Sequence, residues 1–265
     1  MGIFDFNRAL VRQPCVQVVN GLRTGNGADP SFERIAKLHK EYIRALENAG
    51  LDVSELPPLP AFPDSVFIED PALAFEDAAI LLKSGAPERE AEAAELVPYL
   101  QRNFSRLLFV RDGTVDGGDV LVTPNRIFIG LSQRTNEPGA RALVEKLAAI
   151  GRTGVIVRPP PGALHLKTAS GLIDEETVFT TAALAASDIF AGFRVITVPQ
   201  GEERAANVLR LNRTALVPAD CPASQDVLAR ANLTVIPLDV SEIEKINGGL
   251  TCMSLRWLSS TAVGR

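Results

Sequence analysis

Between Asp29 and Ala49, apolar residues recur at Ile35, Leu38, Tyr42, Ala45 and Leu46. That is the spacing of one helix face. Asp29 as N-cap, Pro30 at the first position and Gly50 past the end bound the predicted helix. Most of the remaining apolar residues fall in short runs and alternations that read as strands. They are "CVQVVN" (15–20), "SVFIED" (65–70) and "AAILLK" (78–83) around a turn, "RLLFVR" (106–111), "GVIVRP" (154–159), "FRVITVP" (193–199) and "TVIPLDV" (234–240). Three longer stretches read as hairpins, "DVLVTPNRIFIGL" turning at Pro124-Asn125, "HLKTASGLIDEETVFTT" around Asp174 and Glu175, and "NVLRLNRTALVP" at Asn212-Arg213. Helices are predicted over 87–101, 138–149, 182–190, 222–231 and 241–245, and a last strand carries Cys252 and runs to Trp257.

Strand, hairpin, helix and strand thus recur with a period of roughly 50 residues, about five times. The repeats share layout, not sequence. No linker or low-complexity segment divides the chain, so residues 1–265 read as one domain. The expected fold is α/β, a five-bladed α/β propeller of ββαβ-type repeats with its site at the centre. A doubly wound parallel sheet fits less well, because hairpins imply antiparallel pairs. The nearest thing to a dinucleotide fingerprint, "GNGADP", has Pro30 where the third glycine belongs.

Composition narrows the functional classes. With 46% apolar and 22% charged residues the profile is that of an ordinary globular protein. A net charge of −5 and a pI near 5.2 disfavour nucleic acid, which needs a basic footprint. The three cysteines, at 15, 221 and 252, form no CxxC, and only two histidines exist. A disulfide framework or structural zinc site is therefore not expected, and a cytoplasmic location fits. "MGIFDFNRAL" carries Asp5 and Arg8 too early for a signal peptide, and Phe6 breaks the myristoylation pattern. No apolar run is of membrane-spanning length, so no membrane partner is expected.

The candidate chemistry is concentrated in a few places. In "NGGLTCMSLRW" (247–257), Gly248 and Gly249 leave room beside the Cys252 thiol; it reads either as a core cysteine or as a nucleophile at a strand mouth. His39 lies among Lys37, Lys40 and Glu41 and reads as part of a solvated helix face. His165 follows the stiff "RPPPGAL" and reads as either a hydrogen-bonded core residue or a general acid or base at a strand entrance. "FPDSVFIED" gathers Asp64, Glu69 and Asp70 beside apolar residues; it reads either as an acidic loop at a strand end or as a regular strand whose alternation turns one of Glu69 and Asp70 inward. "DGTVDGGDV" adds Asp112, Asp116 and Asp119 around two glycines, as a turn or a calcium-like loop without EF-hand spacing. Together these suit one reaction type. A thiolate needs an electrophilic carbon, and inward carboxylates match a planar guanidinium. A cation bound there would favour the thiolate, and a histidine would protonate the departing nitrogen and then activate water. Ser/His/Asp chemistry lacks a GxSxG elbow.

Four stretches, "FPDSVFIED", "DGGDVLVTPNRIFIGLSQRTNEPGA", "GALHLKT" and "NGGLTCMSLRW", carry a family resemblance that spans nearly the whole chain. The chain resembles the dimethylarginine dimethylaminohydrolases, of the guanidine-modifying (pentein) superfamily that includes arginine deiminases and amidinotransferases. The resemblance implies a ring of five ββαβ-type units. It implies hydrolysis of asymmetric dimethylarginine and monomethylarginine to L-citrulline and an amine through a covalent thiouronium on Cys252. His165 would be the acid and then the base, with Asp116 as the acidic neighbour of that histidine. Glu69 and Asp70 would hold the guanidinium. Asp64, Arg89 and Arg134 would bind the amino-acid end, the arginines at its carboxylate, and backbone carbonyls of Leu22 and Ile246 would complete the amine site. "NGLRTGNG" would be a lid. No cofactor and no metal are implied; the partner is a small guanidine amino acid, and a homodimer is compatible with it. Asn247 stands where relatives often carry an acid, which removes a charge near the amine end.

Other functions stay open on the same residues: hydrolysis of arginine or N-hydroxyarginine, amidino transfer, or arginine binding without catalysis.

Overall fold

The most apolar strands of the chain are apolar on both faces because both faces are covered. The computed structural model describes residues 2–23, 27–162 and 164–260. They form five three-stranded sheets. The first sheet holds β1 (Arg8–Arg12) and β2 (Asp52–Leu56), joined by helix α1 (Phe32–Asn48). The second is β3 (Ala72–Ala74), β4 (Ala78–Leu81) and β5 (Arg106–Phe109). The third is β6 (Val120–Val122), β7 (Ile127–Gly130) and β8 (Gly154–Val157). The fourth is β9 (Ser170–Leu172), β10 (Thr177–Thr180) and β11 (Arg194–Thr197), and the fifth is β12 (Leu209–Leu211), β13 (Thr214–Pro218) and β14 (Thr234–Leu238). The final strand, β15 (Leu255–Trp257), returns to pair antiparallel with β1, Leu255 opposite Leu10, and so completes the first sheet. Every sheet has an antiparallel pair and a parallel pair about its middle strand.

The middle strands explain why the ring closes. Side chains alternate across a strand. On β1, Ala9 and Val11 pack toward β12 and β13, while Leu10 packs with Leu81 of β4. On β4, Ile80 turns the other way, toward Ile127 and Ile129 of β7. Phe128 of β7 meets Val178 of β10, and Phe179 of β10 meets Ala215 and Val217 of β13. Leu216 of β13 returns to the cluster containing β1. Five core clusters thus sit at five sheet–sheet interfaces, each fed by alternate residues of two neighbouring middle strands.

Several expectations need correction. Residues 15–20 are not a strand: Val16–Asn20 form a 3₁₀ turn with only Val18 buried, and the strand of that blade is β1. Residues 65–70 are not extended either. The chain turns at Pro63–Val66 and again before Asp70, with Phe67 N–H donating to Asp64 O and Asp70 N–H to Phe67 O. Helix α1 starts at Ser31, whose hydroxyl caps the Arg34 N–H, rather than at Asp29. Its His39 is buried, not solvated. Pro87–Asn103 is broken into two 3₁₀ turns, Pro87–Arg89 and Glu92–Leu96, and helix α2 (Val97–Asn103). His165 caps a 3₁₀ turn, and Cys252 precedes its strand by a turn rather than lying in it. Thr24–Asn26, the middle of the expected lid, lie outside the described residues. Among the described residues no helix is long and apolar enough to cross a membrane.

Candidate active site

Each of the short strands β3, β6, β9, β12 and β15 is entered through a tight turn, and these five turns meet at the ring's centre. Hydrogen bonds link them in a closed circuit. Glu69 N–H donates to Cys252 O (3.1 Å), and Gly118 N–H to Asp70 Oδ1 (3.1 Å). His165 Nδ1–H donates to Asp119 Oδ2 (3.2 Å). Asn207 Nδ2 donates to Lys167 O (2.7 Å), and Thr251 N–H to Asn207 Oδ1 (3.1 Å), which returns to the Cys252 turn. Glycine is required where the turns touch. A Cβ on Gly118 would lie 2.8 Å from the His165 ring and 3.1 Å from Asp70 Oδ1, and one on Gly248 would lie 2.2 Å from the Phe67 ring.

Cys252 is a buried free thiol. Burial pushes its pKa up to about 12, and the charges of Asp70 and Glu69 add to the effect. In the free chain the group is therefore SH, and a cation beside it is what would favour the thiolate.

His165 has the opposite bias. Burial disfavours the imidazolium, but the Asp119 hydrogen bond and the charges of Asp119, Asp70 and Asp116 outweigh it and raise the pKa. The sequence expectation paired His165 with Asp116; the hydrogen bond goes to Asp119. That carboxylate is itself held by the Leu166 N–H (3.0 Å) and the hydroxyls of Ser132 (2.6 Å) and Thr135 (2.7 Å). With Nδ1 engaged, Nε2 is the nitrogen left for proton transfer.

Asp116 is near but differently employed. One oxygen accepts the Gly85 N–H (2.9 Å); the other is buried without a hydrogen bond among the described residues, 3.9 Å from Arg134 Nη1. Burial and the Asp70 charge push its pKa up to about 6. Asp70 is held below the usual carboxylate range. Burial would raise it, but the Arg89 charge and hydrogen bond, with Nη1 2.6 Å from Asp70 Oδ2, together with the charges of His165 and Lys167 outweigh that. Asp70, Asp116 and His165 present ligand-type atoms within 4.8 Å of one another. Each Asp70 oxygen already accepts one hydrogen bond, from Arg89 and from the Gly118 N–H, and keeps a further lone pair for a cation at this cluster.

The other expected residues are distributed around this centre. Glu69 Oε1 accepts from Lys167 Nζ (2.8 Å) and from Arg256, and its buried Oε2 has no hydrogen bond among the described residues. Arg256 also ties the Cys252 turn, donating to Thr251 O (3.0 Å) and Ser254. Arg89, expected at a substrate carboxylate, is instead taken up by Asp70, Glu92 and the Phe67 carbonyl (3.0 Å). Arg134 is partly exposed. Both Asp64 oxygens accept the Leu22 N–H (3.0 and 3.1 Å), and burial raises the Asp64 pKa despite Arg89. Leu22 O accepts Asn247 Nδ2 (3.2 Å), so the segment expected to cover the site is fastened beside Ile246 and Asn247. Asn247 has a φ of 60°, a left-handed conformation that asparagine tolerates. Sequence reasoning missed Asp119 as the histidine's partner, and also Asn207, Lys167, Arg256 and Glu92. The "GGD" spacing was the only signal for Asp119, and a lone Asn, Lys or Glu carried none.

A family model described as arginine deiminase matches residues 39–214. The chain is 34% identical over 254 residues to an N(G),N(G)-dimethylarginine dimethylaminohydrolase of Pseudomonas aeruginosa, covering 95% of this chain and 100% of that one. It is 33% identical over 253 residues to one of Streptomyces coelicolor, covering 94% and 96%. A solved structure of the Pseudomonas aeruginosa enzyme, a cysteine-to-serine mutant complexed with citrulline, matches with a TM-score of 0.92 at 34% identity, over 96% of this chain and 100% of that one.

Proposed function

The chain belongs to the dimethylarginine dimethylaminohydrolase family, hydrolases acting on guanidino groups, and on that premise we propose that it cleaves asymmetric dimethylarginine and monomethylarginine to L-citrulline and dimethylamine or methylamine. The observation that supports this most directly is the approach of Asp70, Asp116 and His165 to within 4.8 Å beside the turn that carries Cys252. A planar cation satisfies such carboxylates, and the unpartnered oxygens of Asp116 and Glu69 are acceptors for its N–H groups.

In this reading the bound cation also activates the nucleophile. Its charge offsets Asp70 and Glu69 at the thiol and lowers the pKa from about 12. Sulfur adds to the guanidinium carbon, and the C–N bond to the methylated nitrogen breaks. The thiol hydrogen ends on the departing amine, passed through His165 Nε2, and a cationic thiouronium remains on Cys252. Water then attacks the same carbon with His165 as base. Its oxygen becomes the ureido oxygen of citrulline, sulfur leaves as the thiol, and the remaining proton goes to solvent. Arg134 takes the substrate carboxylate. Asp64 and the Leu22 and Ile246 carbonyls take the ammonium, which displaces the Asn247 amide from Leu22 O.

The test is citrulline release from dimethylarginine, monomethylarginine, arginine and N-hydroxyarginine by the purified chain. Turnover of the two methylated substrates is expected; turnover of arginine alone would replace the assignment. Mass spectrometry of the wild-type chain, acid-quenched during turnover of a methylated substrate, should find the thiouronium on the Cys252 peptide. Full turnover by Cys252→Ala would exclude the covalent route.

A further inference from the structure

A guanidinium site faces a physical conflict: Arg89 lies 2.6 Å from Asp70, the carboxylate placed to attract a cation. A buried ion pair of that kind is neutral at a distance and offers a cationic ligand little. The structure contains a third partner. Glu92, in the next turn, grips Arg89 from the other side, Nε to Oε2 at 2.7 Å and Nη2 to Oε1 at 2.9 Å. Glu92, Arg89 and Asp70 are all buried, 2%, 5% and 5% exposed. We infer that Glu92 is a positioning residue for the hydrolysis: it takes up Arg89, in charge and in hydrogen bonds, so that Asp70 keeps its negative charge for the guanidinium.

The geometry carries this in two ways. Two carboxylates on one guanidinium leave one negative charge over, and Asp70 is the member of the three nearest His165 and Asp116. The bidentate Glu92 contact also fixes the guanidinium plane, which leaves only Nη1 to meet Asp70. Nη2 spends its other contact on Phe67 O (3.0 Å), in the turn that carries Asp70. Asp64 also bears on Arg89, and Arg12, buried at the end of β1, is a more distant positive charge facing Glu92 and Glu95. Glu92 therefore acts through Arg89 and Asp70.

The inference rests on a cationic substrate, so its test compares ligands that differ in charge. Dimethylarginine carries a guanidinium; L-citrulline has the same amino-acid end and an uncharged ureido group. Glu92→Gln is expected to raise KM for dimethylarginine about tenfold while changing the inhibition constant of citrulline by less than about twofold. A variant that weakens both alike, or neither, overturns the inference. Glu92→Asp keeps the charge and should keep the wild-type ratio of the two constants, even if both weaken. A ratio that falls in Glu92→Asp also overturns it, and that variant decides if Gln does not fold. If the wild-type chain turns over neither methylated substrate, the assigned substrate fails instead. The ratio is then read from the binding of arginine against citrulline, so the two failures stay distinct.

Discussion

The two histidines are a natural experiment within one chain. His39 on α1 and His165 at the ring's centre are buried almost equally, 2% and 6% exposed. Their protonation biases are opposite. At His39 burial acts alone, Nε2 has no hydrogen-bond partner among the described residues, and the pKa falls to about 4. At His165 the same penalty is present, but the Asp119 hydrogen bond and three carboxylate charges outweigh it. Burial by itself switches an imidazole off, and buried carboxylates switch it back on. A buried histidine is therefore not a functional signal until its neighbours are known.

The most severe way to break the comparison is to remove the active member. His165→Ala should lower kcat by about 10²–10⁴ with the fold intact, and Cys252→Ala should leave no measurable citrulline release. A subtler change converts one histidine into the other. Asp119→Asn removes the charge from Nδ1, so the His165 resonance in an NMR titration should move to lower pH, toward the behaviour of His39. Activity should fall about 10- to 100-fold. An unchanged titration would mean that Asp116 and Asp70, rather than Asp119, set the imidazole's charge.

Asp116→Asn should separate stability from function. The carboxyl titrates at about 6 in the folded chain against 3.8 as a free side chain, so the folded state holds its proton longer. The folded form then binds more protons than the unfolded form, and stability falls as pH rises through that window. Asparagine removes the cost of the buried charge. The variant should gain about 1–3 kcal/mol at pH 8, lose that advantage by about pH 4, and lose the acid limb of kcat/KM near pH 6 along with most activity. A variant destabilised at pH 8 would show that Asp116 is held by its partners rather than strained by burial.

How the sequence could be read follows from the same contrast between ring and centre. The hairpins at Pro124-Asn125, Asp174-Glu175 and Asn212-Arg213 were legible because turn chemistry and apolar runs are local. Middle strands such as "AAIL" stood out because both of their faces are buried. Two of the entry turns read as strands, whereas the "DGGD" turn was legible as a turn. "SVFIED" and the Cys252 segment have strand-like composition, but they fold tightly so that their polar groups point to the axis. The first blade's own β1 and β2 went unread, since "RALVR" and "DVSEL" are short and flanked by charge. Cys252, His165 and Asp70 were singled out as candidates by motifs. Glu92 and Arg256 were not, because they matter through a partner whose proximity only the fold creates.

The smallest expected effect comes from the inactive histidine, and it tests the comparison from its other side. His39 is neutral in the folded chain, with a pKa of about 4 against 6.5 for a free imidazole. Below pH 6.5 the unfolded chain binds a proton that the folded chain refuses, so stability drains away as pH falls and the loss is complete near pH 4. At pH 5 this amounts to about 2 kcal/mol relative to pH 8. His39→Leu, of similar bulk and without the orphaned nitrogen, should therefore be more stable than the wild type by about that much at pH 5 and nearly equal at pH 8, with citrulline release unchanged at both. Urea midpoints at the two pH values measure it. A gain that is the same at both would mean that the cost at this position is the unpaired nitrogen rather than the suppressed charge. A loss of activity would mean that α1 reaches the centre through more than the hydrogen bonds of Tyr42 to Leu250 O and Ser254 Oγ.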